Sequence, residues 1–383
     1  MIRISDKKNC TGCTACVAAC PAQCIVMRRD RQGFDYPVAN PDMCVDCGKC
    51  TAVCPVMNPM SATEPMTAYA AKLPQYIGGS SSGGVFPALA KEVVDECGVV
   101  FGAVLNPDMT VGHAEADDMA GVEAMRGSKY VQSDMYDAFS DVKSYLDEGK
   151  SVLFSGTPCQ VAGLNKFLGK PYENLLTVDL ACHGAPSPGL WEKYVAALAR
   201  KHGSRVIGVQ FRDKSQSWRR YEFTVQTTER KVSVPCFKDV YMTLFLQDMS
   251  LRPSCYCCPA KGGKSHSDIT LADLWNVSAV AEDMDDDRGT SLVLANTLKG
   301  KAAVSAVCEG LVEVDVVEAI KRNAGFLEGM EVPERRDEFF SGMHSTTNII
   351  EYMSSYVVRK SIFMRYYQYL HTALSKIKRR ICE

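Results

Sequence analysis

The sequence predicts an α+β chain, a small cysteine-rich module followed by a larger mixed α/β domain. Three observations predict it. Eight of the 18 cysteines form two runs of identical spacing, Cys10-x2-Cys13-x2-Cys16-x3-Cys20-Pro21 and Cys44-x2-Cys47-x2-Cys50-x3-Cys54-Pro55. From Ala68 onward, strand-like and helix-like segments alternate, the signature of an α/β layer architecture. A hairpin-like stretch, Tyr221 to Val234, makes the expected sheet mixed rather than purely parallel.

Each cysteine run has the spacing that wraps a cubane iron–sulfur cluster in bacterial ferredoxins, including the proline after the fourth cysteine. Thiolates are soft ligands suited to such clusters, and the two-residue gaps let three of them converge from one tight loop. In two-cluster modules the fourth cysteine of each run binds the other cluster. Cys10, Cys13, Cys16 and Cys54 are therefore assigned to one cluster, and Cys44, Cys47, Cys50 and Cys20 to the second. Zinc is the competing reading, but zinc sites pair two Cys-x2-Cys knuckles or add histidine, and this stretch contains no histidine. Residues 1–60 are expected to form a bacterial-type 2[4Fe-4S] ferredoxin domain.

The 383 residues leave room for a sizeable core beyond that module. Apolar residues at 46% and charged residues at 23% are ordinary for a globular protein, and a net charge of −2 exerts no global pull toward nucleic acid or membrane. Met1-Ile2-Arg3-Ile4 leads straight into polar Ser5-Asp6-Lys7-Lys8, which does not read as an export signal. No apolar run reaches transmembrane length. Cysteines at metal-ligand spacing without an export signal argue for the reducing cytoplasm over a disulfide framework.

Asn58 to Pro65 reads as a linker. After it, Val99 to Leu105 and Ser151 to Phe154 are expected as buried strands, and Val85 to Glu96, Tyr136 to Asp147 and Leu190 to His202 as amphipathic helices. Gly78-Gly79-Ser80-Ser81-Ser82-Gly83-Gly84 precedes the first of these helices. Small residues there admit a ligand to the backbone, and a helix start favours phosphate; a plain flexible turn is the alternative. Two cubanes move single electrons, and a flavin can accept them singly and pass on a hydride. Cys159, after the strand at Ser151 to Phe154, and Cys182 stand at strand ends, where ligands gather in open α/β sheets. With Cys255 and Cys258 of Ser254-Cys255-Tyr256-Cys257-Cys258-Pro259 they give a candidate third cubane. Cys258 is preferred to Cys257 for its two-residue gap and following proline. Buried apolar thiols, or zinc on Cys255 and Cys258, remain as alternatives. Ser265 to Trp275 reads as a strand carrying Asp268 and Asp273, and Leu292 to Asn296 as another. His183 and His266 lie near these loops, where a surface or packed role is favoured over proton donation.

The chain resembles the beta subunit of coenzyme F420 hydrogenases and dehydrogenases, a family with flavin enzymes such as 7-hydroxymethyl chlorophyll a reductase among its relatives. The match is carried by Ser81-Ser82-Gly83-Gly84-Val85-Phe86, Lys129-Tyr130-Val131-Gln132-Ser133 and Gly156-Thr157-Pro158-Cys159-Gln160. Cys182-His183-Gly184 with Pro186-Ser187-Pro188, Cys255-x2-Cys258, Ser267-Asp268-Ile269-Thr270 and Gly289-Thr290-Ser291-Leu292 continue it in the family's order. With the cysteine-rich module it covers residues 1 to about 330. The resemblance implies FAD in a mixed α/β domain, residues 66–330, and strengthens the third [4Fe-4S] cluster. It carries over Ser82, Gly83, Gly84, Lys129, Tyr130 and Gln132 as flavin contacts.

The function expected on this basis is that of an iron–sulfur flavoprotein oxidoreductase, exchanging hydride with a deazaflavin (coenzyme F420) or another small organic molecule. Its electrons would come from a ferredoxin or from a partner of the hydrogenase or dehydrogenase type. The alternative is an electron-transfer subunit with no substrate of its own, feeding a partner enzyme, for which polysaccharide biosynthesis is one setting. Residues 331–383 read as a basic helical tail, with Glu331 to Arg336 as surface. Such a helix can lie on an anionic membrane; packing on its own domain is favoured.

Overall fold

In the computed structural model, which describes residues 1–321 and 323–358, thirteen strands are seen. They are β1 (Ile25–Arg29), β2 (Asp35–Ala39), β3 (Thr67–Ala71), β4 (Val99–Leu105), β5 (Val111–Ala116), β6 (Val152–Ser155) and β7 (Leu175–Leu180). After these come β8 (Val206–Asp213), β9 (Glu222–Thr227), β10 (Lys231–Pro235), β11 (Ile269–Asp273), β12 (Ser291–Ala295) and β13 (Val312–Val314). Eight make one mixed sheet in the order β13-β3-β12-β11-β7-β6-β4-β5. The inner run β11-β7-β6-β4 is parallel, and antiparallel partners flank it on both sides. A mixed sheet was expected, but the hairpin that suggested it lies elsewhere. Tyr221 to Val234 contributes to a separate antiparallel sheet, β10-β9-β8.

Near-continuous apolar runs such as Val99 to Phe101 and Val152 to Phe154 fit strands covered on both faces. Side chains alternate across a strand. Val100 and Leu153 accordingly enter a core layer with the helix Val85–Asp95, while Val99, Phe101, Val152 and Phe154 enter another with the helices Ala138–Asp147 and Pro158–Leu168. The helix Pro158–Leu168 has strong local signals: a Thr157/Gln160 capping box, Pro158 in its first turn and Gly169 in the left-handed conformation at its end. This pins Cys159 to a first turn directly after β6.

Asp268 fixes the register beside that turn. Its carboxylate accepts hydrogen bonds from the Thr177 amide and hydroxyl at 2.9 Å and from the Thr297 hydroxyl at 2.8 Å. Asp179 accepts from Ser265 Oγ at 2.6 Å and Thr270 Oγ1 at 2.5 Å, and burial pushes its carboxyl up to about 6. These polar residues sew β7 to β11.

The front module is not held by a linker alone. Phe34 and Tyr36 from its β1–β2 hairpin enter the largest core cluster with Trp191, Tyr194, Phe211 and Tyr241. Gly33, at φ +80°, brings its backbone against Gly189, whose amide donates to the Gly33 carbonyl at 3.1 Å. Helices Arg336–Gly342 and Ile349–Ser354 add Phe339, Phe340 and Met353 to the same cluster. The expectation that Glu331 to Arg336 is surface therefore fails at Arg336. It is 3% exposed and donates to the Leu251 carbonyl and to Gln32 Oε1 at 2.9 Å. The basic tail residues from Arg359 onward lie outside the described residues.

His113 on β5 gives the fold a pH signature. Its Nε2 lies 3.1 Å from the Ser155 carbonyl, its ring stacks on Phe154 at 5.5 Å, and burial pushes its imidazole down to about 4. The unfolded chain binds the proton near 6.5 and the folded chain does not, so stability falls as pH drops through that interval. Between pH 7.5 and 5.5 the loss is about 1.4 kcal/mol. Urea unfolding of wild type and His113→Leu at the two pH values should show it as the difference between them, because Asp179, its carboxyl raised to about 6, shifts stability the opposite way in both.

Candidate redox-cofactor site

The two cysteine runs curl through left-handed residues, Thr14 at φ 63° and Gly48 at φ 73°, into the short helices Ala15–Ala18 and Lys49–Ala52. Their eight thiols sort into two cavities. One is lined by Cys10, Cys13, Cys16 and Cys54 with Ile2, Met27 and Val56. The other is lined by Cys20, Cys44, Cys47 and Cys50 with Ile25 and Val45. The fourth cysteine of each run thus sits with the opposite trio. Four soft donors around each cavity fit a cubane. Among the described residues, no group of three His, Cys, Asp or Glu side chains is arranged to hold a metal ion; the thiols line cavity walls instead. Cys24 is a fifth thiol on the second cavity, with Sγ 3.4 Å from that of Cys20. Sequence reasoning gave it no role because it stands outside the repeated spacing.

The first cavity faces the α/β domain. A Cβ added at Gly163 would lie 2.9 Å from both Cβ and Sγ of Cys13, so only glycine lets the helix Pro158–Leu168 approach this close. Four residues earlier on that helix, about 6 Å along its axis, stands Cys159. It interacts electrostatically with Cys182, Cys255 and Cys258, and these four residues converge although up to 99 positions separate them. Burial pushes the Cys182 thiol up to about 12 and the Cys255 thiol up to about 11, and each is raised further by a neighbouring thiolate. The Ala185 amide donates to Cys255 Sγ at 3.3 Å. Cys257 is exposed, whereas Cys258 is turned in toward Cys159. Buried Lys261 also acts on Cys182, Cys255 and Cys258; its Nζ donates to the Glu328 carbonyl at 2.8 Å, and among the described residues no carboxylate pairs with it. His183 instead lies 2.7 Å from Asp248, and His266 lies against the Ser61 carbonyl at 2.8 Å.

The glycine–serine loop packs against its own protein. A Cβ at Gly83 would stand 2.2 Å from the Ala71 carbonyl, and the Gly83 amide donates to Ser291 Oγ at 2.9 Å. Ser82 Oγ donates to the Thr290 carbonyl at 2.9 Å. Small residues here serve close backbone packing as well as any ligand. The helix Val85–Asp95 that follows Gly84 has no side-chain cap, leaving its first amides free of one. Two cations bond to the loop, and a third, Lys129, follows Ser128, whose amide donates to Ser81 Oγ at 2.8 Å. Arg126 donates to the Tyr76 and Gly78 carbonyls, and Lys214 to the Ser82 and Arg288 carbonyls at 2.8 Å. Lys129 donates to the Ala124 and Arg126 carbonyls at 2.9 Å. Burial pushes Lys129 down to about 7 and Lys214 down to about 8. Tyr130 stacks on Phe245 at 4.5 Å. Gln132 is placed at the module's junction, its Nε2 donating to the Thr11 carbonyl at 3.0 Å. Arg126 and Lys214 escaped sequence reasoning because they enter from separate segments.

Residues 149–319 match the family model for the C terminus of the coenzyme F420 hydrogenase/dehydrogenase beta subunit, and residues 9–58 match a 4Fe-4S dicluster domain. The chain joins a match to a 4Fe-4S dicluster domain to a match to the C terminus of F420 hydrogenase/dehydrogenase beta subunits. It is thus an iron–sulfur electron-transfer protein related to that family's beta subunits. No curated protein matches. A solved structure, described as a xenon derivatization of the F420-reducing [NiFe] hydrogenase complex from Methanosarcina barkeri, is similar at 18% identity. The similarity covers 77% of this chain and 91% of that one, with a TM-score of 0.45. No helix among the described residues is long and apolar enough to cross a membrane.

The Gly163 contact can be tested alone. Gly163→Leu should cost roughly 2–3 kcal/mol by overpacking and lower the iron retained after anaerobic desalting, while Gly169→Ala, at an open helix end, should retain it.

Proposed function

We propose that this chain is an iron–sulfur flavoprotein oxidoreductase in which electrons from a protein partner pass inward to a flavin. The division behind this reading is a ferredoxin-type domain over residues 1–60 and a flavin domain over 66–330. Cys10, Cys13, Cys16 and Cys54 would hold the inner cluster of the module. Cys20, Cys44, Cys47 and Cys50 would hold the outer one, where exposed Cys47 marks the face open to a partner. Cys159, Cys182, Cys255 and Cys258 would hold a third.

The observation carrying the proposal is the convergence of those last four thiols beside Lys261, with Cys159 about one helical turn from the point where Gly163 meets Cys13. A buried ammonium without a carboxylate is costly unless negative charge stands near it. Four cysteines held as thiolates by a bound cluster supply that charge, and binding would release their protons. Zinc would also take four thiolates; position beside Cys13 is what favours an electron carrier.

Ser82, Gly83, Gly84, Lys129 and Tyr130 are proposed to flank an FAD, with its diphosphate toward the uncapped helix start and the cations around it. FAD would supply the exchange between single electrons and a hydride. The protein's part is to fix the loop through Ser291 and Thr290, orient the diphosphate by charge and exclude water with the Tyr130–Phe245 pair. The hydride partner is proposed to be a deazaflavin or another small organic molecule.

Anaerobically purified protein should contain about twelve irons and one FAD per chain. Cys159→Ser should lower the iron to about eight while leaving the module's clusters intact. Eight irons and no flavin in the wild type would overturn the proposal. Flavin affinity should also depend on pH. An anion raises the proton affinity of Lys129 and Lys214, so binding takes up protons and should weaken as pH rises from 6.5 to 9. Flavin retention by ultrafiltration across that range would measure it.

A further inference from the structure

Arg252 is buried at the junction of module and domain, 1% exposed, and no motif includes it. Its guanidinium is pinned from both sides. Nε donates to the Cys10 carbonyl at 2.8 Å and Nη2 to the Asp35 carbonyl at 2.9 Å, both in the cysteine-rich module. Nη1 donates to Gln132 Oε1 at 3.0 Å, in the α/β domain. Nη2 also lies 3.6 Å from Cys10 Sγ, within reach of an N–H···S hydrogen bond. The rings of Tyr36 and Phe34 stand 4.1 and 5.5 Å from its central carbon. Among the described residues, no carboxylate lies within ion-pairing distance of it. The nearby Lys7, its Nζ 3.6 Å from the centroid of the same Tyr36 ring, is exposed and already paired with Asp30 at 3.7 Å.

A fully desolvated guanidinium held by neutral acceptors is incomplete. Aromatic faces compensate part of the charge, and the remaining candidate is the Cys10 sulfur. The second cavity has a cation of its own on its wall, the Met1 ammonium, but that one is already paired with Asp46 at 3.4 Å. The two cavities, alike in their four thiols, therefore differ in that a buried cation without a carboxylate touches a thiol sulfur only at the first.

We propose that Arg252 sets the reduction potential of the cluster held by Cys10, Cys13, Cys16 and Cys54, raising it above that of the outer cluster so that an electron runs inward. The inference rests on the dicluster reading of the module. Reduction of a cubane with four thiolates adds one electron and breaks no bond, so the reduced form carries one more negative charge. A cation fixed beside a ligand sulfur stabilises that form more, and hydrogen bonds to the sulfurs act in the same direction. The backbone continues the arrangement. Its carbonyl accepts the Cys255 amide at 2.9 Å, so the residue that touches one thiol set also supports the other. Arg252 is a positioning residue: it touches a ligand, not a substrate.

The test uses the full chain, purified anaerobically, as Arg252→Gln and Arg252→Lys. Iron content and an EPR-monitored titration, with dithionite as the electron donor, are the readouts. Arg252→Gln should move one centre to lower potential by at least tenfold in its reduction equilibrium, about 59 mV for one electron. The other centres should stay where they are, and Arg252→Lys should fall closer to wild type. Loss of about four irons in the Gln variant, but not in the Lys variant, would equally support a role for charge. The proposal is overturned if Arg252→Gln keeps its iron with all midpoints unchanged, or if both variants lose the same iron. Fewer than eight irons in the wild type would instead mark failure of the dicluster reading itself.

Discussion

A buried positive charge needs a negative one, and at two places in this molecule the groups able to supply it, once deprotonated, are cysteine sulfurs. Arg252 stands at the Cys10 thiol, and Lys261 stands at Cys182, Cys255 and Cys258. Neither has a carboxylate partner among the described residues. Replacing the thiols by apolar groups would leave both cations desolvated and uncompensated, a state far more expensive than an exposed charge. The docking of module on domain, through Cys10, Asp35 and Gln132, therefore depends on the same electrostatics as the thiol sites it joins.

The mixed sheet supplies the geometry that this constraint needs. β6 and β7 are adjacent and parallel, so their carboxyl ends lie side by side. Cys159 follows the first and Cys182 the second. Asp268 and Asp179 hold the neighbouring β11 in register through five hydroxyl and amide donors, so the Ser265 to Thr270 motif serves the frame. Chemistry at such strand ends is supported by a rigid layer underneath. The module then rests on that layer at Gly163, where absence of a side chain decides how closely Cys13 approaches.

The glycine–serine loop illustrates a division of labour that motif reading alone does not separate. Gly83 is required by the Ala71 carbonyl, and Ser82 and Ser291 close hydrogen bonds between strand ends. Those contacts exist without any ligand. What points to an anion is the company the loop keeps: Arg126, Lys129 and Lys214, the two lysines driven toward neutrality by burial. Gln132, carried over with the Lys129 to Ser133 motif, is engaged at the module's junction through Thr11 and Arg252.

The sequence by itself determined what is local or repeated. The doubled cysteine spacing, the helices Val85–Asp95, Ala138–Asp147 and Pro188–His202 and the strands Val99–Leu105 and Val152–Ser155 are set by short-range geometry, capping and apolar alternation, and they were legible within a residue or two. A sheet that mixes strand directions was legible too, though the hairpin offered for it belongs to another sheet. Tertiary structure alone decided the rest. It placed Cys159 a turn from the Cys13 contact. It drew Arg126 and Lys214 to one loop, and it buried Arg252 and Arg336 where a basic residue reads as surface. These outcomes depend on segments far apart in the chain meeting in a desolvated interior, and no local pattern encodes which charge will find which partner there.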